Sequence, residues 1–283
     1  MSTTTTLRVR NAPGFRIDAS SLLPAALAGL PVADIQWLML PAGNEAVAVG
    51  DVFDVSRDDA DDKAGENTDD GEEPVLVIEG AGPWLERIGA RLDAGRLVVR
   101  GSAGDYAGLR MTGGTLAIEG DAGGFLGCEM RGGRLDVTGH CGDFAAGALP
   151  GDMEGMTGGT LTIRGNAGAR LADRMRRGLV LVGGDAGAYA ASRLVAGTVG
   201  IAGATGAHCA YGMRRGTLLL AREPASLPPT FSEGGRGFEV FWALLARSLA
   251  REMAPFSGWR TPPRARLTGD LAVDGRGEIL IAR

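Results

Sequence analysis

The chain has 283 residues, 45% of them hydrophobic and 22% charged, a globular balance that excludes a fully disordered protein. Glycine supplies 47 residues against 13 prolines, with none of the every-third-residue period of collagen, so a turn-rich repeat is favoured. The formal net charge of -5 is local in origin: between Arg57 and Glu73 nine carboxylates face two cations, a net -7, which leaves the remainder at +2.

In chain order, the opening MSTTTTLRVR has no apolar core of a secretory peptide, and no apolar run approaches the roughly 18 residues of a spanning helix. With three cysteines (Cys128, Cys141, Cys209), too few for a disulfide framework, the reading is a cytoplasmic chain with no membrane or nucleic-acid partner. Residues 1–88 form an N-terminal capping region containing LRVR, a short helix over Ser20 to Leu30, strands around Ile35 to Leu40 and Ala46 to Val55, and a solvated acidic loop at 57–74. A further strand, Val75 to Gly80, follows before Gly82, Pro83 and Trp84.

Residues 89–221 repeat. Gly95, Gly114, Gly133, Gly159, Gly178, Gly197 and Gly216 are spaced by 19 residues, except for one interval of 26 holding a seven-residue insertion between Gly147 and Gly155. A second glycine column follows six residues later (Gly101, Gly120, Gly139, Gly165, Gly184, Gly203) and a third three beyond it (Gly104, Gly123, Gly142, Gly168, Gly187, Gly206). Between the first two runs a short alternating strand, as in Leu97 and Val99 or Leu161 and Ile163. Just before the first column stands another apolar residue, Leu92, Met111, Met130, Met156, Met175, Leu194 or Met213. Such a unit cannot bury its inner face alone, and stacked at the inter-strand spacing it makes a parallel β-helix of about seven coils, an all-β fold. The glycine columns are read as structural corners, at φ > 0 where a Cβ would clash.

The same columns weigh the candidate chemistry. Cys141 stands among Ala103, Ala122, Ala167, Ala186 and Thr205, a small inward position. His140 stands among the turn residues Ser102, Asp121, Asn166 and Asp185. His208 ends a stacking ladder of Tyr106, Phe125, Phe144, Arg170 and Tyr189. The histidines are on different faces, and there is no P-loop, H-E-x-x-H, C-x-x-C or G-x-S-x-G, so no catalytic residue, no metal site and no cofactor bound by this chain alone is assigned. A stand-alone carbohydrate-active β-helix needs paired carboxylates, yet Asp105 and Asp143 are separated by Gly124 in their column. Arginine is polarised along the stack, with eight from Thr160 to Ala221 against Asp173 and Asp185, whereas Arg91 to Gly159 holds six arginines and nine acids. Arg131, Arg176 and Arg214 share one column and Arg177 and Arg215 the next, a contact suited to a polyanion or to a partner subunit. Residues 222–283 form a C-terminal cap, with a helix over Phe238 to Met253 whose apolar face is Phe238, Phe241, Trp242, Leu245 and Leu249, then strands Ala265 to Val273 and Glu278 to Ala282.

The unit M-x-G-G-x-L-x-I-x-G-x-A-G-x-x-x-G, best preserved from Met111 to Gly127, resembles the glycine-rich β-helix of glutamate synthase C-terminal domains and of the C-type subunit of formylmethanofuran dehydrogenases. It covers about half the chain, and the flanking regions, ending in GEILI, are similar to the family of these C-type subunits. Ala146, Ala172, Ala191 and Ala210 depart from the pattern where the unit's final glycine would stand. The resemblance implies a right-handed helix and a non-catalytic scaffold in a cytoplasmic complex with A-, B- and D-type subunits. Such a complex moves a formyl group from formyl-tetrahydromethanopterin to a methanofuran-type carrier and releases formate. It also implies that the arginine columns could meet a carrier bearing chains of glutamate. The preponderance of arginine over lysine favours the bacterial formyltransferase/hydrolase complex over the alternative, a tungsten or molybdenum formylmethanofuran dehydrogenase.

Overall fold

The computed structural model describes residues 4–58, 73–227, 229–235, 239–259 and 261–282; most of the acidic 57–74 segment lies outside them, as do Pro228 and Phe238. The N-terminal elements are β1 (Thr4–Val9), β2 (Ile17–Asp18), α1 (Pro24–Ala28), α2 (Val32–Gln36), β3 (Met39–Ala42), β4 (Glu45–Ala48), α3 (Val49–Val52), β5 (Phe53–Asp58), β6 (Val75–Ala81) and β7 (Leu85–Glu86). The central strands are β8 (Arg96–Gly101), β9 (Thr115–Ile118), β10 (Arg134–Val137), β11 (Thr160–Ile163), β12 (Leu179–Val182), β13 (Thr198–Ile201) and β14 (Thr217–Leu220). The tail adds β15 (Ser232–Glu233), α4 (Glu239–Glu252), α5 (Ala254–Ser257), β16 (Ala265–Gly269) and β17 (Gly277–Ile281).

Strands dominate, and 13 of them form one mostly parallel sheet, a β-helix-like all-β fold with few helices. From β8 to β14 each strand pairs in parallel with the next, aligning Leu97, Leu116, Leu135, Leu161, Val180, Val199 and Leu218. A second line of parallel bridges runs from Ala103 through Ala122, Cys141, Ala167 and Ala186 to Thr205. The inward strand residues, the apolar residues before the first glycine column and the small side chains from Ala103 to Ala186 are buried in one continuous core. Each fully buried aliphatic side chain contributes roughly 1.5–3 kcal/mol.

The parallel ladder extends past the repeat at both ends, with β6 and then β1 below β8, and β17 above β14. Antiparallel strands close it: β5 on β1 at one end, and at the other β16 on β17 with the two-residue β15 on β16. Two N-terminal expectations are corrected. Ile35 lies in α2 rather than in a strand, and the run from Ala46 to Val55 is broken by α3, after β4 has paired antiparallel with β3. Both breaks turn buried apolar residues, Ile35, Val49 and Val52, onto the end of the core.

The helix face is also corrected. In α4 Trp242 and Leu249 are buried and Leu245 is half-buried, whereas Phe241 is exposed. Trp242, Leu249, Met253 and Phe256 pack on the outer face of the sheet against Leu181, Leu219 and Leu280, forming a second core. A Cβ on Gly200 would meet the Phe256 ring at 2.9 Å, so glycine there lets α5 lie against the sheet. Arg134 pins the far end of α4, donating to Glu252 at 2.5 Å and to Asp136 at 2.7 Å.

Candidate functional site: an arginine-lined groove

The corner glycines differ from expectation in their backbone conformation. Within the second and third columns, only Gly101 has a left-handed φ, 140°. Gly120, Gly139 and the others take ordinary φ, and glycine is required because successive turns touch: a Cβ on Gly139 would lie 2.7 Å from the Gly120 carbonyl oxygen. The positive φ belongs to the first column, from Gly95 (82°) to Gly216 (89°). Ala146, Ala172, Ala191 and Ala210 hold the same left-handed conformation as Gly108 and Gly127, with φ of 55–61°, so the departure from glycine leaves the backbone path unchanged.

Polar turn residues link neighbouring turns. Asp121 Oδ1 accepts from the His140 N–H at 2.7 Å, His140 Nδ1 from Asn166 at 2.9 Å, Asn166 Oδ1 from Asp185 at 2.8 Å and Asp185 Oδ1 from Ala204 at 2.7 Å. His140 thus serves as one acceptor in a ladder. Asp105 and Asp143 do the same for the N–H groups of Gly124 (2.8 Å) and Ala169 (2.7 Å), each bonding to the next turn rather than to the other.

The ring ladder is continuous. Tyr106, Phe125 and Phe144 stack at 4.8 and 4.9 Å, the Arg170 guanidinium bridges Phe144 and Tyr189, and Tyr189 stacks on His208 at 4.8 Å. All six residues have φ between 58° and 64°, so stacking and cation–π attraction offset left-handed strain in every turn. The three cysteines are free and buried. Burial pushes the thiols of Cys141 and Cys209 up to about 12, and that of Cys128, which donates to the Phe144 carbonyl, higher still.

Arg176, Arg177, Arg214 and Arg215 line one groove of about 620 Å³ with Thr157, Val195 and Ala196. Arg131 shares their column but is outside the groove, two turns below Arg176. Arg176 is held by Glu154 of the insertion at 3.0 Å. Among the described residues no carboxylate lies within 4 Å of the guanidinium groups of Arg177, Arg214 or Arg215.

The groove continues into a hollow of about 390 Å³ bounded by Met153, Arg174, Arg193, Tyr211 and the tail residues Ala272 and Val273. The insertion makes one wall. It is tied down by Glu129, which accepts from the Leu149 N–H at 3.2 Å and from Arg110 at 2.7 Å, and by Arg174, which donates to the Asp152 carbonyl. Arg193 is already paired with buried Asp173, which also accepts from Ser192. The tail makes the opposite wall through Asp270. Burial opposes its ionisation, but the N–H groups of Ala272 and Gly212 donate to its carboxyl, which lies below the usual range.

Sequence columns pointed to the four arginines but not to Met153 or Val273, because the insertion and the tail reach the groove from outside the repeat, nor to Tyr211, which has no aromatic counterpart in its column. No three His, Cys, Asp or Glu residues converge as a metal-ligand set among the described residues, and no described helix is long and apolar enough to cross a membrane.

No family model matches the chain. It is 40% identical over 99 residues to the C-type subunit of the formyltransferase/hydrolase complex Fhc of Methylorubrum extorquens, an alignment covering 35% of this chain and 32% of that protein. The structure matches a chain of the solved formyltransferase/hydrolase complex FhcABCD from the same organism, determined with methylofuran. The TM-score is 0.85 and the identity 39%, over 98% of both chains. The chain belongs to the family of Fhc C-type subunits. This family is related to the C-type subunit of tungsten-containing formylmethanofuran dehydrogenase 2: the protein from Methanothermobacter wolfeii is 32% identical over 102 residues, 36% of this chain and 35% of that one. The aligned sequence thus spans about a third of the curated relatives, whereas the structural match to an Fhc chain is full-length.

Proposed function

We propose that this chain is the non-catalytic scaffold subunit of a cytoplasmic formyltransferase/hydrolase complex. With A-, B- and D-type partners it serves formyl transfer from formyl-tetrahydromethanopterin to a methanofuran-type carrier and the release of formate. The observation that carries this reading is the full-length likeness to a chain of the methylofuran-bound complex. The bacterial complex is preferred to a tungsten enzyme because the sequence is 40% identical to the Fhc subunit against 32% to the tungsten enzyme's subunit over segments of similar length. The scaffold is a right-handed parallel β-helix of about seven glycine-marked coils over 89–221, between caps at 1–88 and 222–283.

Side-chain chemistry supports the division of labour. His140 and His208 are engaged in ladders, Asp105 and Asp143 cap successive turns, and the thiols are buried. These side chains serve the stack, which supports a scaffold role. The test is turnover: the purified chain alone is expected to show no formyl transfer or hydrolysis, while its addition to the other subunits raises their activity. Activity of the isolated chain that His140→Ala abolishes refutes the scaffold role.

A further inference from the structure

Four large apolar side chains stand exposed beside the arginines. Met153 and Tyr211 bound the hollow, and Leu271 and Val273 come from the tail; their exposures run from 38% to 70%. Met153, Tyr211 and Val273 line a hollow whose floor is largely apolar and whose edge carries Arg174, Arg176, Arg193 and Arg214. Arg177, Arg214 and Arg215, without carboxylate partners among the described residues, continue the positive surface into the groove. Guanidinium groups bind carboxylates bidentately, and protein interfaces concentrate Arg, Tyr and Met around an apolar centre.

We propose that groove and hollow form one protein-docking surface whose occupant is an extended acidic segment of a partner subunit carrying one large apolar side chain into the hollow. The apolar half distinguishes this occupant from a free polyanion, which needs only the arginines. Spacing supports it: the Arg176/Arg177 and Arg214/Arg215 pairs are two turns apart, roughly 10 Å, the reach of about three residues of extended chain. The seven-residue insertion and the returning tail gain a purpose, since together they supply Met153, Ala272 and Val273 as walls. The proposal rests on the reading of this chain as a complex subunit and adds which surface and what chemistry join it to a partner.

The test is assembly of the tagged full chain with its co-expressed partner subunits, followed by native mass spectrometry and by dissociation at increasing salt. The charge-reversal variant R177E/R214E/R215E is expected to weaken assembly at least tenfold and to lose its salt dependence. Trimming the hollow with M153A/Y211A is expected to weaken assembly at least fivefold with salt dependence retained. Arg131→Glu, in the same column but outside the groove, is the control and is expected to assemble normally. Melting temperatures check folding, and a misfolded reversal variant is replaced by R177Q/R214Q/R215Q. Normal assembly of both groove variants overturns the docking surface while leaving the subunit reading intact. Normal assembly combined with lost binding of a glutamate oligomer probe also overturns it, assigning the groove to a small polyanion. A wild-type chain that joins no partner overturns the subunit reading and the docking surface together.

Discussion

Replacing Gly139 by alanine separates close packing from backbone conformation as the reason for glycine in this stack. The added Cβ would sit 2.7 Å from the Gly120 carbonyl oxygen and 2.8 Å from its carbon, and it would also strike the Asp121 carboxylate. Most of those atoms are backbone of the turn below, fixed by the Gly139 N–H donating to Gly120 at 3.0 Å and by Gly165 donating to Gly139 at 2.9 Å. A neighbour of this kind cannot rotate away, so two turns must separate by several tenths of an ångström against their ladder. Overpacking of this kind costs about 2–3 kcal/mol. Gly151→Ala is the matched comparison: φ is 95° there and no atom lies within 4 Å of the new Cβ, so only left-handed strain of about 1 kcal/mol remains. With an unfolding entropy near 0.6 kcal/mol/K for a chain of this length, the first change lowers Tm by about 3–5 °C and the second by about 2 °C. Differential scanning calorimetry on the two variants measures both. Gly139→Ala melting with the wild type would mean that the stacked turns are not in contact as described.

Three further outcomes follow from other parts of the molecule. The buried thiols, at about 12 for Cys141 and Cys209, should resist iodoacetamide in the native protein and react in urea. Their folded pKa lies above the ordinary value of 9.0, so the unfolded chain releases protons first and stability falls as pH rises from about 9 towards 12. Each thiol lowers it by about 1.4 kcal/mol per pH unit, and urea melts of Cys209→Ala should show a slope shallower by that amount. Phe125→Ala removes two stacking contacts while keeping the left-handed φ, and a loss of about 2 kcal/mol is expected in chemical denaturation; no loss would deny the ring ladder a stabilising role. Gly200→Val pushes against the Phe256 ring and is expected to speed proteolysis and hydrogen exchange within 239–257, leaving exchange in β8 to β11 unchanged.

How far the sequence carried depended on whether a signal was periodic. The inward columns, the small column with Cys141 and the ring ladder could all be read, because each recurs once per turn and a stack needs identical neighbours. The glycine columns were visible too, but a letter G does not distinguish a residue at φ +64°, such as Gly114, from one like Gly139 that is crowded by the turn below. The face of α4 differs from expectation at Phe241 because the helix lies on the outside of the sheet. The sign of this was present in LVLV of β12, TLLL of β14 and EILI within β17, which drop the alternation of TLAI and RLDV and so mark strands covered on both faces. The breaks at α2 and α3 had no such periodic sign, since their buried residues serve the end of one core only once.

The placement of the caps bears on where a partner can bind. A β-helix with open ends would extend by pairing with another chain, but here β5 runs antiparallel across one end and carries Asp54, Ser56 and Asp58 on alternate positions. The other end terminates in the two-residue β15, too short to template a long pairing. Growth along the axis is therefore disfavoured at both ends, and partners must meet the flanks. One flank, on the sheet from β12 to β17, is occupied by α4 and α5. A second is the edge of the ring ladder, where the side chains turn their faces to one another. A third flank carries arginines without carboxylate partners among the described residues beside an apolar hollow. The axial polarity of arginine thus acquires a structural sense, since it concentrates cations where the insertion, the last turns and the returning tail together leave room for another chain.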